Sequence, residues 1–121
     1  MDIVISPTSD QPIYVQIAEQ LAAQILRGDL PEGTALPPIR TVARQLEVSV
    51  ITVKKAWEEL TRSGLIHATV GKGSFVAPHS ARELDQDRDK TALDRLAKDL
   101  PFFRTLGLTE DEFVRLVRRV Y

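Results

Sequence analysis

Ser49-Val50-Ile51-Thr52-Val53-Lys54-Lys55-Ala56-Trp57-Glu58-Glu59-Leu60-Thr61-Arg62-Ser63-Gly64 is the stretch that decides the fold. Ser49 is a good N-cap, because a serine oxygen can accept a first-turn N–H that no helical carbonyl satisfies. Val53, Ala56, Trp57 and Leu60 follow the i, i+3, i+4, i+7 spacing and predict one buried face. A step of 100° per residue then puts Ile51, Lys55, Glu58 and Arg62 on the opposite face, flanked by Thr52 and Lys54.

Working outward toward the N-terminus, Pro37-Pro38 opens a shorter helix carrying Ile39, Val42, Ala43 and Leu46, and Glu47-Val48 is a tight connection. Two helices joined by so short a turn, the second longer and capped, make a helix-turn-helix. Further upstream, Ile13, Ile17, Leu21 and Ile25 recur every four residues with Ala18, Ala22 and Leu26 beside them. Asp10 and Pro12 suit the start of that helix and Gly28 its stop. Leu30-Pro31-Glu32-Gly33 is a turn, leaving Thr34-Ala35-Leu36 as a short strand candidate. After Gly64 the period shifts to two. Leu65–Val70 and Ser74–Ala77 read as strands joined at Gly71-Lys72-Gly73, a wing directly behind the third helix.

The chain therefore reads as mainly α with a small β-hairpin: an N-terminal winged helix-turn-helix over residues 9–78, then a short α-helical tail over 79–121. Residues 79–91 are polar and read as a linker or weakly specified helix. Leu93, Leu96, Ala97, Leu100 and Phe103 resume a helical stripe that Pro101 should kink or restart. Thr109-Glu110-Asp111-Glu112 is a capping box before a last helix bearing Phe113, Leu116, Val117 and Val120.

Composition excludes several functions. The 121 residues hold no cysteine, so disulfides and thiolate metal sites are ruled out, and a reducing cytoplasmic setting is expected. The first residues lack a secretory pattern and no apolar run approaches a membrane span, so no membrane association is expected. His67 and His79 lack a carboxylate cluster, no nucleophile or phosphate-loop motif is present, and no metal, cofactor or catalytic residue is expected. The net charge is −1, but Arg40, Arg44, Lys54, Lys55, Arg62 and Lys72 outnumber Glu47, Glu58 and Glu59 between residues 36 and 78, a local +3.

An outward Ile51 beside threonine and lysines is unusual for a solvated surface and fits a helix lodged in a major groove. There a branched apolar group meets a thymine methyl, hydroxyls reach base edges, and lysines meet phosphate or guanine. Arg40 lies beside the expected phosphate track, and the Gly71-Lys72-Gly73 tip suits close approach in a minor groove. The rival is a winged helix used for protein assembly; Lys54, Lys55 and Lys72 weigh against it.

Pro12-Ile13-Tyr14…Gln16-Ile17, Gly28…Leu30-Pro31-Glu32-Gly33…Leu36-Pro37…Arg40, Val48-Ser49…Thr52-Val53, Leu60…Gly64-Leu65-Ile66 and Gly71…Gly73-Ser74-Phe75-Val76 together closely resemble the GntR family of bacterial regulators. The resemblance spans about residues 9–78. It implies that Arg40, the early third-helix residues Ser49, Thr52 and Lys54, and the wing glycines contact operator DNA. Many members have serine at the position of Pro38 and a guanine-reading arginine at that of Val50. Here Val50-Ile51 is similar instead to the short-tailed, YtrA-like branch, with more apolar and hydroxyl contacts. The expected DNA-facing set is thus Arg40, Ser49, Val50, Ile51, Thr52, Lys54, Lys55, Gly71, Lys72 and Gly73.

Two short tail helices cannot both enclose a pocket of ~300 Å³ and bury their own stripes. Leu96, Leu100, Phe102, Phe103, Leu106, Phe113, Leu116, Val117 and Val120 should therefore meet a second copy, the alternative being that they fold back on the first helix. A homodimeric repressor is expected, on a pseudo-palindromic operator whose half-sites lie about 10 base pairs, or a multiple, apart. Whether a small effector also binds between the tails stays open.

Overall fold

The computed structural model describes residues 1–121, with seven elements: α1 (Ile13–Leu26), α2 (Ile39–Leu46), α3 (Val50–Arg62), β1 (Ile66–Thr69), β2 (Gly73–Val76), α4 (Ala81–Thr105) and α5 (Glu110–Val120). The chain divides into two compact units, Met1–Asp85 and Gln86–Tyr121.

The core of the first unit forms where the apolar stripes of three helices meet. Ile17, Leu21 and Ile25 of α1, Val42 of α2, and Val53, Ala56, Trp57 and Leu60 of α3 are buried together, with Ile66 and Val76 of the hairpin sealing one side. Each such large side chain contributes roughly 1.5–3 kcal/mol through burial. At the start of α1, Pro12 occupies the N-cap position with φ −54°, and Asp10 makes no cap. The turn between α2 and α3 bends at Glu47, the one non-glycine residue with positive φ (56°), from which the Val48 amide reaches back to the Ala43 carbonyl. A left-handed residue of this kind ends a helix abruptly, and that fixes the angle at which α3 departs.

β1 and β2 pair antiparallel in the register Ile66↔Val76, His67↔Phe75, Ala68↔Ser74 and Thr69↔Gly73. Thr34–Leu36 lies along β2 as a third, irregular member: Leu36 N–H donates to Ser74 O, Val76 N–H to Thr34 O, and Ala35 bridges Phe75. Tethering both sides of β2 keeps a small hairpin from fraying, since an isolated two-stranded hairpin is at best marginally stable.

The N-terminal segment is held by a ladder of glutamines. Gln16, Gln20 and Gln24 recur every four residues along α1, and their Oε1 atoms accept the N–H groups of Ser6, Val4 and Asp2. Their Nε2 atoms donate back to the carbonyls of the same residues. Gln16, only 6% exposed, also donates to Gln11 O, so its buried amide is fully satisfied. Alternate residues Ile3 and Ile5 then turn toward the core, as an extended segment with a two-residue period requires.

Residues 79–91 are helical from Ala81 onward, and α4 runs unbroken through Pro101. Ser80 starts it: its Oγ accepts the Glu83 N–H at 3.1 Å, and its carbonyl accepts from Leu84. Pro101 lacks the N–H that would bond to Ala97 O, yet the helix carries on to Thr105. In the second unit, Phe103 meets Phe113 edge-on at 5.0 Å and Phe102 at 5.3 Å, which packs the end of α4 on α5. Thr109 caps α5 in a reciprocal box with Glu112. No residue of α4 or α5 is buried.

Candidate nucleic-acid interface

Ser49 Oγ accepts the Thr52 N–H at 3.1 Å, starting α3 so that its first turn is rigid. The two hydroxyls also share a 2.7 Å hydrogen bond, which leaves one hydroxyl hydrogen of the pair free for a base edge. With Trp57 only 4% exposed beneath, Ile51 stands out at 76% and Val50 is also exposed. Lys54 lies on one flank of that face, in a groove of about 410 Å³ with Ile39, Glu58 and Thr61 and with Ala68 and Ser74 of the hairpin. Lys55 lies on the other flank and sits over the Tyr14 ring of α1, its Nζ 4.5 Å from the centroid.

The structure therefore separates the expected residues into groups. Ser49 and Thr52 are bonded to each other, Lys54 faces the wing strands, and Lys55 is drawn toward α1. Arg40 is the second residue of α2 and is exposed; Arg40, Lys54 and Lys72 have no acidic partner, whereas Arg62 is spent on Glu59. Gly71 and Lys72 sit in the hairpin turn closed by Lys72 N–H to Thr69 O, and Gly73, with φ 106°, is already the first residue of β2. Val70, expected to end the first strand, instead lies in the turn beyond Thr69 and is fully exposed at this tip. His67 stacks on its cross-strand partner Phe75 at 5.9 Å. Tyr14 entered the family pattern without a role of its own, since nothing local in the sequence links it to Lys55.

In the tail, Leu96, Leu100, Phe103 and Phe113 line one open groove of about 450 Å³ with Arg104, Leu108 and Val114. It coexists with uncovered stripes because both helices leave their apolar residues accessible. Phe102, Leu106, Leu116, Val117 and Val120 are exposed outside it. Glu112 accepts hydrogen bonds from the Thr109 backbone N–H and hydroxyl, which hold its carboxyl below its ordinary pKa. No group of three or more metal-ligating side chains is present, and no helix is long and apolar enough to cross a membrane.

A three-helix core with a tethered hairpin behind the last helix defines a winged helix-turn-helix protein. The model of the gntR family of bacterial regulatory proteins matches residues 13–76. The chain belongs to this GntR family, whose members are DNA-binding transcription regulators rather than enzymes. It is similar to the HTH-type transcriptional repressor YtrA of Bacillus subtilis, 35% identical over 68% of this chain and 63% of that protein. Among solved structures, a GntR family transcriptional regulator from Listeria monocytogenes covers 93% of this chain and 98% of its own, with TM-score 0.79 and 25% identity. The DNA-binding domain of AraR, solved in complex with operator ORX1, matches 64% of this chain and 96% of its own at TM-score 0.56 and 29% identity.

Proposed function

We propose that the chain is a cytoplasmic repressor that binds a pseudo-palindromic operator as a homodimer, with α3 in the major groove and the wing at the minor groove. The observation that carries this is Ile51, three-quarters exposed in the first turn of a capped helix whose opposite face is sealed. Water gains nothing from that side chain, whereas a thymine methyl would cover it. Arg40, Lys54 and Lys72, without acidic partners, supply charge for phosphates, and Val50, Thr52 and Ser49 complete the base-facing surface. The repressor name of the YtrA relative and the operator complex of AraR support the same reading.

Residues 9–78 are the DNA-binding domain and 79–121 the dimerisation tail in this account. An α4–α5 hairpin with no buried residue, yet lined with Leu96, Phe102, Leu106, Leu116, Val117 and Val120, is an apolar surface that a second copy would cover. Selection of bound duplexes from a random-sequence pool by the full chain tests the whole proposal. An enriched inverted repeat with half-sites about 10 base pairs, or a multiple, apart is expected. Recovery of unrelated sequences, or of a single unrepeated half-site, would overturn it.

A further inference from the structure

Of the two adjacent lysines on α3, one is tied to a different helix. Lys55 Nζ rests 4.5 Å from the ring centroid of Tyr14, the second residue of α1, and that ring is itself packed on the core. Lys54 is one helical step away and lines the groove toward Ala68 and Ser74 of the wing. Ile51 stands between the two flanks. The adjacent ammonium groups therefore serve opposite sides of the groove-facing surface.

We propose that Tyr14 is a positioning residue that holds Lys55 off the base edges and presents it to a backbone phosphate on the α1 side of the groove. An ammonium over an aromatic face is attracted by the ring quadrupole on one side only. Its N–H donors on the other side remain directed outward. A free lysine must give up rotamer freedom when it meets a phosphate, and a lysine already seated gives up less. Because a phosphate contact fixes register without carrying sequence information, Lys55 adds affinity while Ile51 and Thr52 are left to discriminate. Neither the family match nor the named relatives assign this role to Tyr14.

The inference rests on α3 being the DNA-facing helix, and the test separates the two. Binding is measured across a salt series for a duplex recovered from a random-sequence pool and for an unselected duplex of equal length. Lys55→Met should weaken both duplexes by the same factor and reduce the log–log salt slope by about 0.9 for each bound chain. Tyr14→Phe should bind as the parent does, because the ring is kept. Tyr14→Leu should weaken both duplexes about two- to fivefold, and adding Lys55→Met to it should cost less than Lys55→Met alone. In the unaltered protein, which needs no variant to fold, ring current should shift the Lys55 ε-methylene protons upfield of those of Lys54. A changed ratio between the two duplexes with Lys55→Met, additive losses in the double variant, or coincident ε-methylene shifts would each overturn the proposal. Indifference of both duplexes to Lys54→Ala would instead overturn the assignment of α3.

Discussion

Truncating Ile51 to alanine should separate stability from recognition. The substitution removes three carbons, which at about 0.8 kcal/mol each would amount to roughly 2 kcal/mol if the side chain were fully buried. In the free protein it is 76% exposed, so only about a quarter of that, ~0.5 kcal/mol, is at stake. The better helix propensity of alanine offsets most of the remainder, by about 0.4 kcal/mol. The melting temperature by circular dichroism should therefore stay within a degree or two of the parent, as ~0.1 kcal/mol implies. On the operator the side chain becomes covered, and its loss should cost about 1–2 kcal/mol per half-site, which over two half-sites is a loss of affinity of about thirtyfold or more. Fluorescence anisotropy with the selected duplex reads this directly. Leu60→Ala is the counterpart: at 2% exposure it should cost about 2–5 kcal/mol of stability. An Ile51→Ala protein that melted several degrees lower while binding the operator at parental affinity would refute this division of roles.

Three other outcomes are expected. Gln20→Ala removes the hydrogen bonds to Val4 N–H at 2.8 Å and Val4 O at 2.7 Å, and should cost about 1 kcal/mol and raise amide exchange of Val4 severalfold. Phe113→Asp should yield monomers with weak operator binding, and sedimentation showing an unchanged dimer would refute the tail surface. Because the folded-state pKa of Glu112 is depressed by Thr109, its capping contribution is present above the unfolded carboxyl pKa and lost as pH falls through the folded value. Helicity of α5 should accordingly decline on acidification, by NMR chemical shifts, and Glu112→Gln should blunt the response.

The helices and hairpin of the first unit were legible because local and global signals coincide there: Ser49 caps where the apolar period of α3 begins, and the shift to a two-residue period at Leu65 coincides with the emergence of the wing. The outward position of Ile51 followed from that same period. Residues 81–91 were harder, since Leu84 is the one large apolar residue there that packs on the core, and a single residue makes no apolar stripe. A signal was nevertheless present, for Ser80-Ala81-Arg82-Glu83 has the spacing of a capping box, and Ser80 Oγ does receive the Glu83 N–H. Pro101 misled because a single missing hydrogen bond is tolerated near the end of a long helix. Tyr14–Lys55 and the glutamine ladder were invisible for another reason. Both join groups distant in sequence, and only the packing of α1 against its neighbours brings them into range.

Replacing thymine by uracil, one position at a time, within the selected operator removes a single methyl that projects only into the major groove. At one or more positions in each half-site, the parent protein should lose affinity while Ile51→Ala is indifferent. If no thymine methyl mattered to the parent, or if Ile51→Ala lost as much as the parent at every sensitive position, α3 would not lie in the groove with its isoleucine against the bases.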